Sequence, residues 1–262
     1  MDSEQSDSQL CVTSYNSTGF GQDKIDFMKT LLLFSDIFCL QEHFLLSSSD
    51  RKHSNTSKIR RAFGDNYDIF LVPAVNSSEN ITKGRGEGGL CTMLRKGLTK
   101  YVSKVESSNF RLQATKFKFP SSNLLIINSY FMCDPGGNFD ENGLHELLAN
   151  IKHIIEVASS QNVSLQVDLK CDFSRRSPFE QIVKAFCEEL DIQPIWSYPH
   201  DDGHTRIAPV SHTYWQVVGN VARSSLVDHF VVNKRLYEAI VETGSLTFLA
   251  MMQFTAKLSW ES

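Results

Sequence analysis

Five polar residues far apart in the chain stand at or beside the ends of apolar runs. Asn16 follows Leu10-Cys-Val-Thr-Ser-Tyr15, Glu42 follows Asp36-Ile-Phe-Cys-Leu-Gln41, and Tyr130 closes Leu124-Leu-Ile-Ile-Asn-Ser-Tyr130. Asp168 follows Val163-Ser-Leu-Gln-Val167, and Asp228 lies inside Ser225-Leu-Val-Asp-His-Phe-Val-Val232. Carboxylates, an amide and a phenol make a set of hard oxygen groups. Mg2+ takes oxygen ligands, keeps several waters and needs only one or two carboxylates, so the set suits a hard divalent cation. Taken singly, each acid is a solvated loop residue by default, because Asp and Glu seldom leave water unpaired. The chemistry therefore depends on whether the fold brings the five together.

The elements that must do so are legible from periodicity. Leu10 to Tyr15 alternates as a strand, and residues 23–34 carry apolar side chains at 25, 27, 28, 31, 32 and 34, as a packed helix does. Residues 36–41 are almost wholly apolar, which predicts a central strand buried on both faces. Further strands are expected at 67–75, 89–94, 110–119 and 123–131, between clusters of Gly, Ser, Asn and Pro. Leu144, Leu147, Leu148, Ile151, Ile154, Ile155 and Ala158 form a helical stripe. A strand at 163–167, a helix at 178–190 and strands at 211–216 and 225–232 bring the expectation to about ten strands and four helices. No internal repeat is visible. Hairpin-like strand order with interspersed helices predicts an α/β fold: one domain, a two-sheet sandwich with helices outside.

Composition narrows the function. With 26 basic and 30 acidic residues the net charge is −4, so no global basic field marks a nucleic-acid partner and any polyanion site must be local. Residues 51–61 hold Arg51-Lys-His53 and Lys58-Ile-Arg-Arg61 without an acid, which reads first as a solvated helix face and second as a contact for a DNA backbone. Cysteines at 11, 39, 91, 133, 171 and 187 include no C-x-x-C pair, and the acidic start, residues 1–9, reads as a disordered tail. Free thiols and an intracellular location, nuclear or cytoplasmic, are expected, and the Asn76-Ser-Ser and Asn80-Ile-Thr triplets are discounted as glycosylation sites. The run Leu246 to Met252 is far shorter than the ~20 residues that span a bilayer, so no membrane partner is expected. Gly84-Arg-Gly-Glu-Gly-Gly89 spells G-x-G-x-x-G, but strand-like residues follow it where a dinucleotide site needs a helix. His43, His145 and His153 read as packing or surface residues, and the Cys and His spacings do not fit zinc.

Tyr15-Asn16, Leu40-Gln-Glu-His43, Gly88-Gly-Leu90, Asn128-Ser-Tyr-Phe-Met-Cys-Asp134 and Ser225-Leu-Val-Asp-His-Phe-Val-Val232 resemble, in order and spacing, the motifs of the endonuclease/exonuclease/phosphatase superfamily. The resemblance runs from about Leu10 to Leu236. Leu40-Gln-Glu-His43 and Asp172-Phe-Ser-Arg175 bring it nearest to non-LTR retrotransposon endonuclease domains. It implies a deoxyribonuclease I-like sandwich and Mg2+-dependent hydrolysis of a phosphodiester in DNA. On this resemblance Glu42 would hold Mg2+ and Asn16 would organise the surroundings of metal and phosphate. Tyr130 would contact the scissile phosphate, Asp168 would orient the attacking water, and Asp228 would bind and orient an imidazole.

Two departures bear on activity. The family's G-D-x-N reads Val167-Asp168-Leu169-Lys170 here, replacing a carboxamide that donates and accepts with an ammonium that only donates. The family's last strand is preceded by S-D-H, yet neither His nor Asp occurs after His229. Asp228-His229 is not that pair, since Ser225 precedes it at the spacing of the earlier S-x-x-D strand, and alternation along that strand should turn His229 away from the side of Asp228. The expected organisation is a tail at 1–9, the domain at 10–242 and an atypical segment at 243–262 in place of the last strand. Three readings stay open: a retroelement-derived nuclease-like hydrolase of degenerate activity, a non-enzymatic polyanion-binding relic (a pseudoenzyme), and an inositol-polyphosphate phosphatase-like enzyme. Oligomeric state is not legible.

Overall fold

β1 (Gln9–Asn16) and β2 (Ile37–Gln41) lie parallel, with Val12 opposite Ile37 and Asn16 opposite Gln41, and α1 (Gln22–Leu32) makes the crossover. The structure, a computed structural model, describes residues 9–47, 56–76, 86–120, 122–131, 140–169, 173, 176–198, 206–207, 214–218, 221–225, 228–246 and 251–257. β2 is buried along its whole length, as an apolar run in the middle of a sheet must be. On its other side it pairs with β4 (Leu90–Arg95), which pairs with β3 (Tyr67–Val72). Beyond β1 come β15 (Met251–Lys257), β14 (Ile240–Leu246) and β10 (Arg206–Ile207), completing a seven-stranded sheet.

The second sheet has six strands in the order β5 (Val102–Val105), β6 (Leu112–Lys118), β7 (Asn123–Tyr130), β8 (Asn162–Asp168), β13 (Asp228–Asn233) and β9 (Ile192–Pro194). A separate hairpin joins β11 (Tyr214–Val218) and β12 (Val221–Ser225). β7 and β8 are parallel and linked by α3 (Glu141–Ala158), whose Leu144, Leu147, Leu148, Ile151, Ile154 and Ala158 are buried. Asp140 caps that helix by accepting from the Gly143 amide, 3.0 Å away. α4 (Pro178–Glu189) starts in a capping box, with Ser177 and Glu180 each satisfying the other's amide and Pro178 in the first turn.

Alternation sorts the core into layers. Val163, Leu165 and Val167 of β8 pack outward on α3 and α4, while Leu124 and Ile126 of β7 and Phe230 and Val232 of β13 pack inward on Leu10, Val12, Ile37 and Cys39 of the first sheet. The outer face of the first sheet, with Phe38, Leu40 and Met93, is covered by Met28 and Leu32 of α1 and by Ile59 and Phe63 of α2 (Ser57–Phe63). The architecture is the expected α/β sandwich with helices outside.

The count differs from expectation. Among the described residues there are fifteen strands, and a fifth helix, α5 (Lys234–Ala239), joins four others. Of the unforeseen strands, β5, β9 and β10 are four residues or fewer and too short to show a period; β12, β14 and β15 are longer. Gln9, placed with the tail, belongs to β1; the rest of the tail lies outside the described residues. Residues 243–262, read as a replacement for the last strand, run through β14 into β15, which pairs antiparallel with β1 from Gln9↔Lys257 to Tyr15↔Met251.

Candidate active site

Inward-facing positions at one end of the strands converge on a single edge of the sandwich. β1 and β2 end there at Asn16 and Gln41, and β7 and β8 end there with Tyr130 opposite Asp168. β13 begins there, its Asp228 backbone opposite that of Asp168. Asn16, Tyr130 and Asp168 share the parity of Val12, Ile126 and Phe230, which face the sheet interface.

Asn16 is the tie. Its Nδ2 donates to Glu42 Oε2 at 2.9 Å and also to Asp168 Oδ2. Its Oδ1 accepts from the Thr18 amide at 3.0 Å, which fixes which way the carboxamide points. One amide thus uses both hydrogens to hold two carboxylates from different sheets, with Asp168 buried and Glu42 half-buried. Glu42 itself takes φ 55° and Phe44 φ 56°. Such left-handed conformations are uncommon for residues with a side chain and persist where surrounding contacts fix them.

Two glycines explain the turn that faces them. Gly88 (φ +71°) lies under the Tyr130 hydroxyl, and a Cβ there would stand 1.9 Å from that oxygen. Gly89 (φ +93°) lies against the His43 ring, where a Cβ would come within 2.4 Å of Cε1. Phe44 N–H donates to the Gly88 carbonyl at 2.9 Å, so the Glu42 turn and the glycine pair are joined through the backbone. The Gly-x-Gly reading as a dinucleotide loop fails as foreseen, since β4 and no helix follows Gly89.

The Tyr130 hydroxyl is buried without a hydrogen-bond partner. Burial pushes the phenol above its usual value, and nearby Arg111 only partly opposes this, so Tyr130 stays a proton donor at neutral pH. Arg111 Cζ lies 4.7 Å from the Tyr130 ring centre and 5.0 Å from that of Phe110, and its Nη2 meets Glu87 Oε1 at 2.7 Å. His43 is fully buried. Its Nδ1 accepts from the Leu45 amide at 3.0 Å, its Nε2 is unpartnered, and burial lowers its pKa to about 4.

His229 turns to the opposite face. Trp196 Nε1 donates to its Nδ1 at 3.2 Å, and the Phe173 ring meets it edge-on at 5.1 Å. The Asp228 side chain and Lys170 lie outside the described residues, as do Thr247-Phe248-Leu249-Ala250, which directly precede β15. Next to β1 runs β15, paired antiparallel with it. Among the described residues no group of three or more His, Cys, Asp or Glu side chains is placed to hold a metal.

Behind the site lies a polar layer that periodicity does not reveal. Gln41 Nε2 donates to Ser14 Oγ (3.0 Å) and to Asn128 Oδ1 (2.7 Å), and Asn128 Nδ2 donates to the Cys91 carbonyl at 3.1 Å. Cys39 Sγ donates to Gln166 Oε1 at 3.2 Å. Gln41, Asn128 and Gln166 are all but inaccessible. The available signal was amide side chains at inward parity, Gln41 one residue before Glu42 and Asn128 and Gln166 two residues before Tyr130 and Asp168. The free thiols expected from the spacing hold for Cys11, Cys39, Cys91 and Cys187; Cys133 and Cys171 lie outside the described residues. His145 and His153 are exposed, and no helix among the described residues is long and apolar enough to cross a membrane.

No protein-family model matches the chain and no curated protein does. Solved structures do. The catalytic domain of APE2 from Xenopus laevis matches with TM-score 0.68 and 15% identity, covering 95% of this chain and 92% of its own. The AP endonuclease LMAP from Leishmania major matches with TM-score 0.66 and 14% identity, over 96% of this chain and 88% of its own. The endonuclease domain of TRAS1, a telomere-specific non-LTR retrotransposon, matches with TM-score 0.60 and 10% identity, over 95% and 99%. At such identities the likeness is one of fold, and the chain has the deoxyribonuclease I-like α/β sandwich of these structures.

Proposed function

We propose that the chain is a retroelement-derived endonuclease/exonuclease/phosphatase domain that engages a phosphodiester polyanion, DNA first, at the Asn16–Glu42–Asp168 edge and hydrolyses it slowly. The observation that carries this is the single carboxamide of Asn16 holding Glu42 and Asp168 together in that fold. The donor set fits Mg2+, since the two carboxylates offer hard oxygens and the ion completes its shell with water. Glu42 and Asp168 would hold it there. When bound, the cation would offset charge on the phosphoryl oxygens. The unpartnered Tyr130 hydroxyl supports a phosphate contact, because a buried donor left unpaired costs about 1–3 kcal/mol and an anionic oxygen would satisfy it.

Slow turnover follows from what moves protons. The family pattern puts an imidazole before the last strand, and in this sequence Thr247-Phe248-Leu249-Ala250 stands directly before β15; on this reading Leu249 takes the place of that histidine. Losing a positioned acid or base lowers a rate by ~10²–10⁴. Lys170 in place of the family's Asn adds to the loss. The motifs of the first half and the likeness to the TRAS1 domain support retroelement ancestry, with nucleus or cytoplasm as the place of action.

The test is Mg2+-dependent nicking of supercoiled plasmid. Thr247→Ser, Phe248→Asp and Leu249→His together with Lys170→Asn should nick at least ~10²-fold faster than the natural chain, and Glu42→Ala should abolish the gain. Either change alone should restore little, because groups that act as a unit are non-additive. Robust nicking by the natural chain that disappears in Glu42→Ala would overturn the degenerate reading.

A further inference from the structure

We propose that Glu87 is an internal stand-in for a substrate phosphate on Arg111, so that this carboxylate competes with phosphodiester binding beside Tyr130. The inference rests on reading the Asn16–Glu42–Asp168 edge as a phosphodiester site and adds a second cationic subsite with its own gate. Arg111 is built in. Its amide donates to Asn109 Oδ1 at 2.9 Å, its carbonyl accepts from Ser129 Oγ at 2.9 Å, and its guanidinium lies over the rings of Phe110 and Tyr130. A planar guanidinium lying against two rings and carrying forked donors matches carboxylate and phosphate alike.

Glu87 is also held, by backbone bonds to Val75 of 3.0 and 2.8 Å, and it reaches Arg111 Nη2 at 2.7 Å. The two side chains differ in exposure, 14% for Arg111 and 34% for Glu87. An anion arriving from solvent therefore meets Glu87 first and must displace it. A partly exposed pair of this kind adds little stability, while its carboxylate places a negative charge beside a site that already holds Glu42 and Asp168. The arrangement weakens polyanion binding without loosening the fold.

The assay is fluorescence anisotropy of a short labelled DNA duplex with the full chain, titrated across ionic strength. Glu87→Gln keeps the shape and removes the charge; it should bind about fivefold tighter at low salt. One more phosphate contact should steepen the slope of log K against log salt by about 0.9. Glu87→Ala should act in the same direction, with thermal melts confirming that both variants fold. In an Arg111→Gln background the Glu87→Gln gain should vanish. Glu188→Gln, on the exposed face of α4, controls for net charge. If Glu87→Gln and Glu87→Ala bind no tighter than Glu188→Gln, the competitor role is overturned. The site reading survives that result where Tyr130→Phe still weakens binding by the natural chain, and both fail if no variant binds the duplex at low salt.

Discussion

Replacing Asn16 by Asp preserves the shape of the side chain and converts the tie of the site into a third carboxylate. In the native arrangement one Nδ2 serves Glu42 Oε2 at 2.9 Å and Asp168 Oδ2. The variant loses two hydrogen bonds to charged acceptors, worth ~1.5–3 kcal/mol each. It also sets like charges about 4 Å apart, where an effective dielectric of ~20 makes each pair repel by ~4 kcal/mol. The half-exposure of Glu42 screens its share, and the cluster relieves the rest by keeping a proton. A net loss of about 4 kcal/mol at pH 7 is therefore expected, a large part of a typical ~5–15 kcal/mol domain stability.

The sign with pH follows. The crowded carboxylate has a folded pKa above its unfolded value of ~3.9, so the native state keeps a proton that the unfolded chain has released. The deficit is then largest at neutral pH and shrinks as pH falls through the raised value. Millimolar Mg2+ should shrink it too, since an ion that binds only the native state at 100 times its Kd adds about 2.7 kcal/mol. Urea unfolding at pH 7 and pH 5, with and without Mg2+, reads all of this. Asn16→Leu, which loses the hydrogen bonds without adding charge, should lack the extra pH-dependent recovery. A deficit in Asn16→Asp equal at both pH values would show that Glu42 and Asp168 do not sit against residue 16.

Gly88→Ala should cost about 2–4 kcal/mol in urea unfolding, since it adds left-handed strain and a Cβ 1.9 Å from the Tyr130 hydroxyl; in a Tyr130→Ala background only the strain, ~1–2 kcal/mol, should remain. His43, whose folded pKa of about 4 lies below its unfolded ~6.5, contributes stability present above pH 6.5 and lost as pH falls toward 4. His43→Asn can still accept from the Leu45 amide, and it should flatten the stability profile between those pH values by roughly 3 kcal/mol. Ser177→Ala should destabilise by about 1 kcal/mol through the capping box of α4, and an unchanged midpoint would show that the box is not formed in solution.

The parts of the fold that periodicity reveals are those buried on one face or two. α3 repeats its stripe over eighteen residues, and β2 is apolar throughout. The site was legible because strand ends sort by parity, so Asn16 and Asp168 meet although most of the sandwich separates them in sequence. What stayed hidden has no period. The Arg111–Glu87 pair joins residues from two loops, and the amide layer of Gln41, Asn128 and Gln166 sits at inward positions where alternation predicts apolar side chains. Gly88 and Gly89 were visible as motif letters, but their reason, the space taken by a phenol and an imidazole, is a tertiary fact. Within 243–262 the strand β15 was not foreseen, because the run that forms it alternates weakly.

The contacts that hold the two carboxylates together do not depend on a histidine. Glu42 and Asp168 are held by Asn16, backed by hydrogen-bonded amides and then by the apolar interface of Val12, Ile126 and Phe230, and none of these contacts uses an imidazole. The hydrogen bonds that fix Glu42 and Asp168 are thus independent of a proton-transferring histidine. The described side chains near the edge do not replace it. Burial keeps Tyr130 protonated and raises the Cys39 thiol to about 12, His43 stays neutral and enclosed behind Gly89, and His229 is bonded to Trp196 on the other face of the sheet. Among the described residues the edge sets oxygen donors together with neither His43 nor His229 turned toward it, which on the proposed function favours binding of a metal and a phosphate over turnover. On that reading activity should be recoverable only where the letters before β15 and Lys170 are changed together.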